Sequence, residues 1–376
     1  MSSPYWIQIT NTGQSHRCNN DIFLTTTGLG SIIISPLNFL SKCYYFLCQL
    51  LIFELPFNTI NCVVIILKVG LTLPQLGKQA NRQNLIKFSR KAEEYGFDSL
   101  WVLERLLSPI NPQTPYPATP DGRLPSDYQT VLDPLETLSF VAANTEKISL
   151  GTSVIDMLFH NPVVLGRRFA TLDVLSEGRT ICGLAIGWSK DEYQASNIPF
   201  KDRGKRADEF LDALKSVWSD DIVEFKGEFY NIPASKIGPK PIQKPHIPIY
   251  LGGFSPNTFS RIVNYDASGW LGVPFGPLEQ LKSTVNTIRN LAIRANKDPN
   301  AFKIILLTYL NISDTTNSGG KQRFPMSGTI EEIGNDIREI KDIGIEHVVF
   351  SNFFTPLYGN IDQTIETSKQ LLQFAK

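Results

Sequence analysis

A chain of 376 residues with 36 basic and 36 acidic side chains has no net charge with which to recruit a nucleic acid or an acidic polymer. That length exceeds an average domain but suits an α/β barrel with additions. The four histidines, His16, His160, His246 and His347, share no metal-ligand spacing, which argues against a zinc site, and neither a phosphate-loop nor a dinucleotide-binding glycine motif is present.

Residues 1–66 do not match the rest. Only Arg17, Asp21, Lys42 and Glu54 carry charge before Ile66, and Cys18, Cys43, Cys48 and Cys62 crowd into the same segment. Pro36, Lys42, Glu54 and Pro56 interrupt its apolar stretch, so no clean run of about 20 apolar residues survives to span a bilayer. It also lacks the charged start, single short apolar stretch and cleavage site of a secretory signal. The favoured reading is translated sequence upstream of a working start near Leu67. A membrane-proximal anchor and an extension packed on the domain are the alternatives. The fifth cysteine, Cys182, lies in an apolar run and reads as a reduced, buried thiol in a cytoplasmic protein.

From Lys68 onward the apolar pattern keeps switching between short strand-like runs and helical spacing. A short strand at 68–77 closes on Pro74, and 81–96 forms a helix with Leu85, Phe88, Ala92 and Tyr95 on one face and Gly96 at its stop. A strand at 97–103 follows. The helix over 133–145 has Asp133 as cap, Pro134 in the first turn and Glu136 three residues after the cap. The third strand is 148–155, and the third helix, 161–176, has Asn161 as cap. The fourth strand is 180–188. A helix at 202–218, a small hairpin at 222–232 turning around Lys226–Gly227 and a stiff proline-rich segment at 233–248 lead to the fifth strand at 249–253. Helix 255–265, strand 267–273, helix 277–295, strand 302–310, helix 329–344, strand 346–351 and helix 361–375 complete the pattern.

Eight strands, nearly apolar throughout and each linked to the next through a helix, predict a parallel sheet buried on both faces. Closed on itself, that is a (β/α)8 barrel over residues 67–376 with a small hairpin insertion between strands 4 and 5. A doubly wound open sheet is the runner-up, but no topological switch point is visible. Function in such barrels gathers at the C-terminal strand ends. Here these ends are rich in glycine, aromatic and amide residues and poor in nucleophiles and metal ligands, which suits a large planar cofactor and a small-molecule substrate.

The run "LDPLETLSFVAANTEKISLGTSVIDMLFHNPVVLGRRFATLDVLSEGR", followed by "GLAIGWSKDEY", "RGKRADEFLDALKSVW", "VEFKGEFY" and "PIYLGGFSPNTFSRIVNYDASGWL", resembles the luciferase-like monooxygenase superfamily. Within it the chain looks most like the subgroup that uses the deazaflavin coenzyme F420. The resemblance implies a flavin or deazaflavin at the strand ends, with hydride transfer or oxygen activation as the chemistry. F420 ranks above FMN on the subgroup resemblance alone. An FMN enzyme would imply a partner flavin reductase, and barrels of the family commonly pair as homodimers. A non-catalytic flavin-binding barrel is the third reading.

Site residues follow from the resemblance position by position. Ser153–Val154 matches a strand-end bulge, often with a non-prolyl cis peptide, that backs the cofactor ring; the alternative is an ordinary strand end. Gly252–Gly253, with Phe254 and Ser255 opening the next helix, matches the turn that binds cofactor phosphate through backbone N–H groups, the alternative being a tight strand-to-helix turn. Gly187–Trp188 resembles the G-W pair lining the pocket, although a buried Trp can equally be core. Asn161 can cap its helix and also touch the cofactor head. His160 is either a proton donor near the ring or an ordinary loop histidine. Arg167 and Arg168 follow it, at least one expected on a surface carboxylate. Many deazaflavin relatives carry Asp-His at the tip of the second strand, where this chain has Glu104–Arg105. Arg105 cannot act as a base but can stabilise negative charge, and Glu104 can serve as acid or base. The alternative is an ion pair between the two that locks the loop. The segment from Pro109 to Pro125 then forms a semi-rigid wall or lid, with Tyr116 and Tyr128 as substrate contacts.

Overall fold

A computed structural model describes residues 67–119, 121–274, 276–313, 323–353 and 356–375, together with 25–26 and 32–33. Two compact units are distinguished, Met1–Ile66 and Leu67–Lys376. In the first, Thr25–Thr26 pairs antiparallel with Ile32–Ile33; the rest of residues 1–66, and with it the expectations placed on that segment, lies outside the described residues. So do Phe275 and Phe354.

Among the described residues of the second unit, the main parallel sheet is built on eight strands in chain order: β1 (Lys68–Thr72), β2 (Ser99–Val102), β3 (Ser149–Thr152), β4 (Thr180–Ala185), β5 (Ile249–Gly252), β6 (Gly269–Gly272), β7 (Lys303–Tyr309) and β8 (His347–Ser351). Each pairs in parallel with the next, and β8 returns to β1, so the sheet closes into a (β/α)8 barrel. The helices between and after them are α1 (Arg82–Tyr95), α2 (Pro134–Ala142), α3 (Pro162–Leu175), α4 (Arg203–Ser219), α5 (Pro256–Asn264), α6 (Leu278–Arg294), α7 (Ile330–Asp342) and α8 (Ile361–Ala375). None of the described helices is long and apolar enough to cross a membrane.

The helix starts follow from capping chemistry. Asn81, Asp133, Asn161 and Ser255 each accept backbone N–H groups of the first turn, and Gly96 ends α1 in the left-handed conformation. Between β4 and β5 a short helix (Lys190–Ala195) precedes α4, and an antiparallel ribbon follows, Val223–Lys226 against Asn231–Ser235. The ribbon turns over four residues, 227–230, and the Glu209 carboxylate accepts the N–H groups of Glu228, Phe229 and Tyr230 at its tip.

Alternate strand residues point outward to the helices and inward to the barrel axis. Leu71, Leu100 and Leu150 face the helices, whereas Trp101, Leu271, Ile305, Leu307 and Val349 fill the interior. Trp101 is fully buried, and the neighbouring strands make room for its indole by lacking side chains. A Cβ on Gly151 would lie 2.5 Å from Trp101 Cε3, and one on Gly70 would lie 2.8 Å from Nε1. Indole Nε1 donates to Ser99 Oγ at 2.7 Å, and that hydroxyl meets His347 Nε2 at 2.7 Å. Burial, assisted by the charge of Lys68, holds the His347 ring neutral, with its pKa lowered to about 3. Gly151→Ala is therefore expected to overpack the axis and cost about 1–3 kcal/mol. Chemical denaturation checks this, and an unchanged midpoint would show that Trp101 can move aside.

Candidate active site

The interior is closed at the level of Trp101, Ile305 and Val349 and opens at the C-terminal strand ends. There Ser153, Val154, Ala185, Gly187, Trp188, Gly252, Gly253, Val273 and Tyr309 are all half-buried. These strand ends thus keep partial access to solvent above a filled floor, and the mouth they outline is where a ligand would enter.

The wall at β3 is irregular. Gly151 pairs with Ile181, but the next pairing, made by a two-residue continuation of β3 (Ile155–Asp156), is Ile155 with Leu184, so an advance of four residues on this side is set against three on β4. One residue is extra, which is a bulge. The Thr152 hydroxyl fills the gap in the ladder, accepting the Gly183 N–H and donating to the Gly183 carbonyl. The Ser153–Val154 peptide within the bulge is cis. Across the mouth, a Cβ on Gly252 would come within 3.1 Å of Val154 Cγ1. Gly253 has φ +125°, a conformation open to glycine, and its carbonyl accepts the Trp270 indole N–H at 2.9 Å. Ser255 caps α5 by accepting the Thr258 N–H at 3.1 Å, and Phe254 stands exposed with its ring on the edge of Trp270.

Glu104 and Arg105 take different partners, so the alternative reading, an ion pair between the two, does not describe them. Strand alternation points neighbouring side chains to opposite sides. Glu104, 7% exposed, turns toward the β3 bulge: its N–H donates to the Val154 carbonyl at 3.2 Å, its Oε2 accepts the Asp156 N–H at 2.8 Å, and its Oε1 lies 2.7 Å from His160 Nε2. Arg105 turns toward the loop after β4. Its Nη1 donates to Glu192 Oε2 at 2.7 Å, with side-chain exposures of 7% and 1%, and its guanidinium lies 5.0 Å over the Trp188 ring. The Leu106 N–H donates to the other Glu192 oxygen at 2.9 Å.

Tyr116 and Tyr128, expected at the substrate face, are both buried and share a hydroxyl contact of 3.2 Å; Tyr116 also packs on Trp188. Asn161 is used as a cap, accepting the Val163 N–H at 2.9 Å, and with Pro162, Phe229, Tyr230 and Ile232 it lines a cavity of ≈ 330 Å³ against the ribbon. Arg168 meets Asp133 and Glu136 on the surface, and Arg167 donates to the Gly238 carbonyl.

Two buried acids were not singled out by sequence. Glu192 sits in the short helix after Trp188, where Ser189 at the cap accepts the Glu192 N–H but the Glu192 carboxylate goes to Arg105 instead of folding back. Asp156 lies beyond the bulge, accepting the Gly187 N–H. Burial first, then the charges of Glu104 and Glu192, raise its pKa to about 8, against the pull of Arg105 and the Gly187 N–H. Burial likewise raises Glu192, with Arg105 and backbone N–H groups opposing. The only local hint was position: both acids sit just past strand ends.

Asp156 yields a pH prediction. The folded chain holds this proton up to about pH 8, whereas the unfolded chain releases it near the ordinary aspartate value of 3.8. The stabilisation is complete below that lower value and lost as pH rises through about 8. Asp156→Asn is expected to melt higher than the parent at pH 8.5 and to show a shallower decline between pH 5 and 8.5. Parallel melting curves for the two across that range would contradict the assignment.

The sequence profile of the family described as luciferase-like monooxygenase matches residues 65–319. The chain belongs to the luciferase-like monooxygenase family. Its relatives include an uncharacterized protein of Mycobacterium tuberculosis (strain ATCC 25618 / H37Rv), 35% identical over 187 residues, which are 50% of this chain and 66% of that protein. The F420-dependent glucose-6-phosphate dehydrogenase of Amycolatopsis mediterranei (strain U-32) is 31% identical over 194 residues, 50% of this chain and 53% of the relative. The match thus spans just under two thirds of the first relative and about half of the second. A solved F420-dependent secondary alcohol dehydrogenase, in complex with an F420-acetone adduct, superposes with a TM-score of 0.67 over 82% of this chain and 99% of its own length at 18% identity. That likeness shows the barrel fold. Members of the family are oxidoreductases or monooxygenases.

Proposed function

We propose that this luciferase-like protein is an oxidoreductase that moves a hydride between coenzyme F420 and a small organic substrate. The observation that carries the reading is the Glu104–His160 contact of 2.7 Å at the edge of the mouth. At the tip of β2, Arg105 stands where many deazaflavin relatives place a histidine, and His160 from the loop after β3 supplies an imidazole in space.

The mouth fits a flat redox cofactor. Val154 offers an apolar backing, and Gly252 brings bare backbone up to it, since a Cβ there would lie 3.1 Å from Val154 Cγ1, while the φ of +125° at Gly253 keeps that position to glycine. The half-buried state of these strand ends keeps them open to a ligand. The capped start of α5 lies beside the turn and adds its positive end for a phosphate. Coenzyme F420, when bound, supplies two-electron hydride chemistry.

The remaining duties fall to the chain. The Glu104 carboxylate facing Nε2 favours the tautomer with its proton there, leaving Nδ1 of His160 as the atom that exchanges a proton with substrate. Glu104 is itself fixed by the Asp156 N–H, so the imidazole is oriented by a carboxylate that cannot swing away. Arg105 is neutralised by Glu192 and holds the Trp188 indole in place on the opposite wall. The aromatic cluster of Tyr116, Tyr128 and Trp188 limits water at that wall.

An FMN-dependent monooxygenase is the second reading, supported by the description of the family itself. Titrating F420 and FMN separately into the purified chain, then adding candidate alcohols and sugar phosphates, distinguishes them by visible absorbance. The expected result is saturable F420 binding and substrate-dependent reduction of bound F420. Binding of FMN in preference to F420, or reduced-flavin turnover with oxygen, would replace the first reading with the second.

A further inference from the structure

Gln75 follows β1 and is fully buried. Its side chain joins two points far apart in sequence. Nε2 donates to the Leu103 carbonyl at 2.7 Å and to the Leu132 carbonyl at 2.6 Å, and Oε1 accepts the Leu103 N–H at 2.8 Å. The Gln75 backbone carbonyl also accepts the Leu132 N–H at 3.2 Å. Leu103 and Leu132 are the two feet of the excursion between β2 and α2, so one primary amide ties both ends. No other uncharged side chain presents two donors and an acceptor in one plane at this reach, apart from the shorter asparagine.

Neighbouring contacts reinforce the same seam. Leu76 forms an antiparallel bridge with Val131, the Gly77 N–H donates to the Thr130 carbonyl at 2.8 Å, and the Tyr358 hydroxyl accepts the Leu76 N–H at 3.0 Å. Away from its feet the excursion rests on the loop after β4: Arg105 on Glu192, Tyr116 on Trp188, and the Gln113 N–H on Asp191 at 3.0 Å. Its outer edge faces solvent, with Ile110 92% exposed. The excursion therefore has a fixed side at Gln75 and a side that grips another loop by polar and aromatic contacts.

We propose that Gln75 is a positioning residue, the clasp at the hinge of a cover formed by residues 104–119 and 121–131 over the strand-end mouth. The cover carries Glu104 at one foot, so the clasp sets where that carboxylate meets His160. The link to turnover rests on the function proposed above; the clasp itself does not. Without the amide, two buried carbonyls and one N–H lose their partners, and the feet are free to part while the barrel beneath keeps its own ladder.

The test uses the full chain without cofactor. Hydrogen exchange is followed over 113–131 and over β7 in the parent, Gln75→Leu and Gln75→Glu. In Gln75→Leu, protection over 113–131 is expected to fall at least about tenfold while β7 is unchanged. In Gln75→Glu the loss is expected at pH 8.5, where the carboxylate faces two carbonyls, and to be reversed at acid pH, where the protonated acid donates to one of them. Equal losses in β7 and in 113–131, or no loss in either variant, would overturn the proposal. Exposed Arg123 gives a second readout, faster tryptic cleavage of Gln75→Leu at a temperature where the barrel remains folded. Failure of the parent to bind F420 would fall on the function and leave the exchange result to decide the clasp.

Discussion

Glu104→Gln is expected to lower turnover by about 10²–10⁴-fold while leaving cofactor affinity close to that of the parent, the range removed when a general acid–base group is lost. Glutamine is close to isosteric. Its carbonyl oxygen can still accept the Asp156 N–H, so the β3 bulge keeps its anchor. What disappears is the carboxylate that faces His160 at 2.7 Å, and with it the preference for a proton on Nε2. His160→Gln is expected to show a loss of similar size. Because the two groups act as one unit, the double variant is expected to be no slower than either single variant by more than a small factor. Steady-state rates and cofactor titrations on the three variants check this. Near-parental rates in both single variants would reduce the pair to scaffolding. Multiplicative losses would mean that the two residues act separately.

The pair also marks the limit of what could be read along the chain. Each half was legible: Glu104 as a charge ending an apolar strand, His160 as a loop histidine near a strand end. Their contact spans 56 residues and has no local signature, because it depends on β2 and β3 lying side by side and on the bulge turning the following loop back. The choice between a Glu104–Arg105 ion pair and divergent partners was likewise out of reach, since Glu192 lies 87 residues beyond Arg105. Elements with a strong local cause came through. Asp133–Pro134 and Asn161–Pro162 start their helices as capping chemistry requires, and the apolar run around Trp101 is a central strand. The short helix Lys190–Ala195 was missed because six residues with Tyr193 as their one large apolar side chain carry no periodic face. Asp156 escaped for another reason. An acid in a loop reads as solvated, and its burial is visible only once Gly187 and Glu192 are placed around it.

Arg105→Met is expected to destabilise the chain by about 3–5 kcal/mol, the usual cost of leaving one member of a buried ion pair without its partner. The side chains of Arg105 and Glu192 are 7% and 1% exposed, so water cannot replace the lost guanidinium. Glu192 retains the Leu106 N–H, which softens the loss without neutralising the charge. Methionine fills much of the volume against Trp188, which separates the electrostatic effect from a cavity. The sign of the pH dependence follows from the carboxylate. Burial already raises the Glu192 pKa with Arg105 opposing, and removing Arg105 raises it further. A folded-state pKa above the unfolded one stabilises at low pH and loses that contribution as pH rises through the folded value. The deficit of Arg105→Met is therefore expected to be smaller at pH 5 than at pH 8. Adding Glu192→Gln removes the stranded charge and is expected to restore most of the stability, since exchanging both members of a buried pair is often neutral or favourable. Denaturant midpoints of the parent, the two single variants and the double at both pH values complete the cycle. A double variant as unstable as Arg105→Met would show that the guanidinium acts through its stacking on Trp188 at 5.0 Å, and that its charge is incidental.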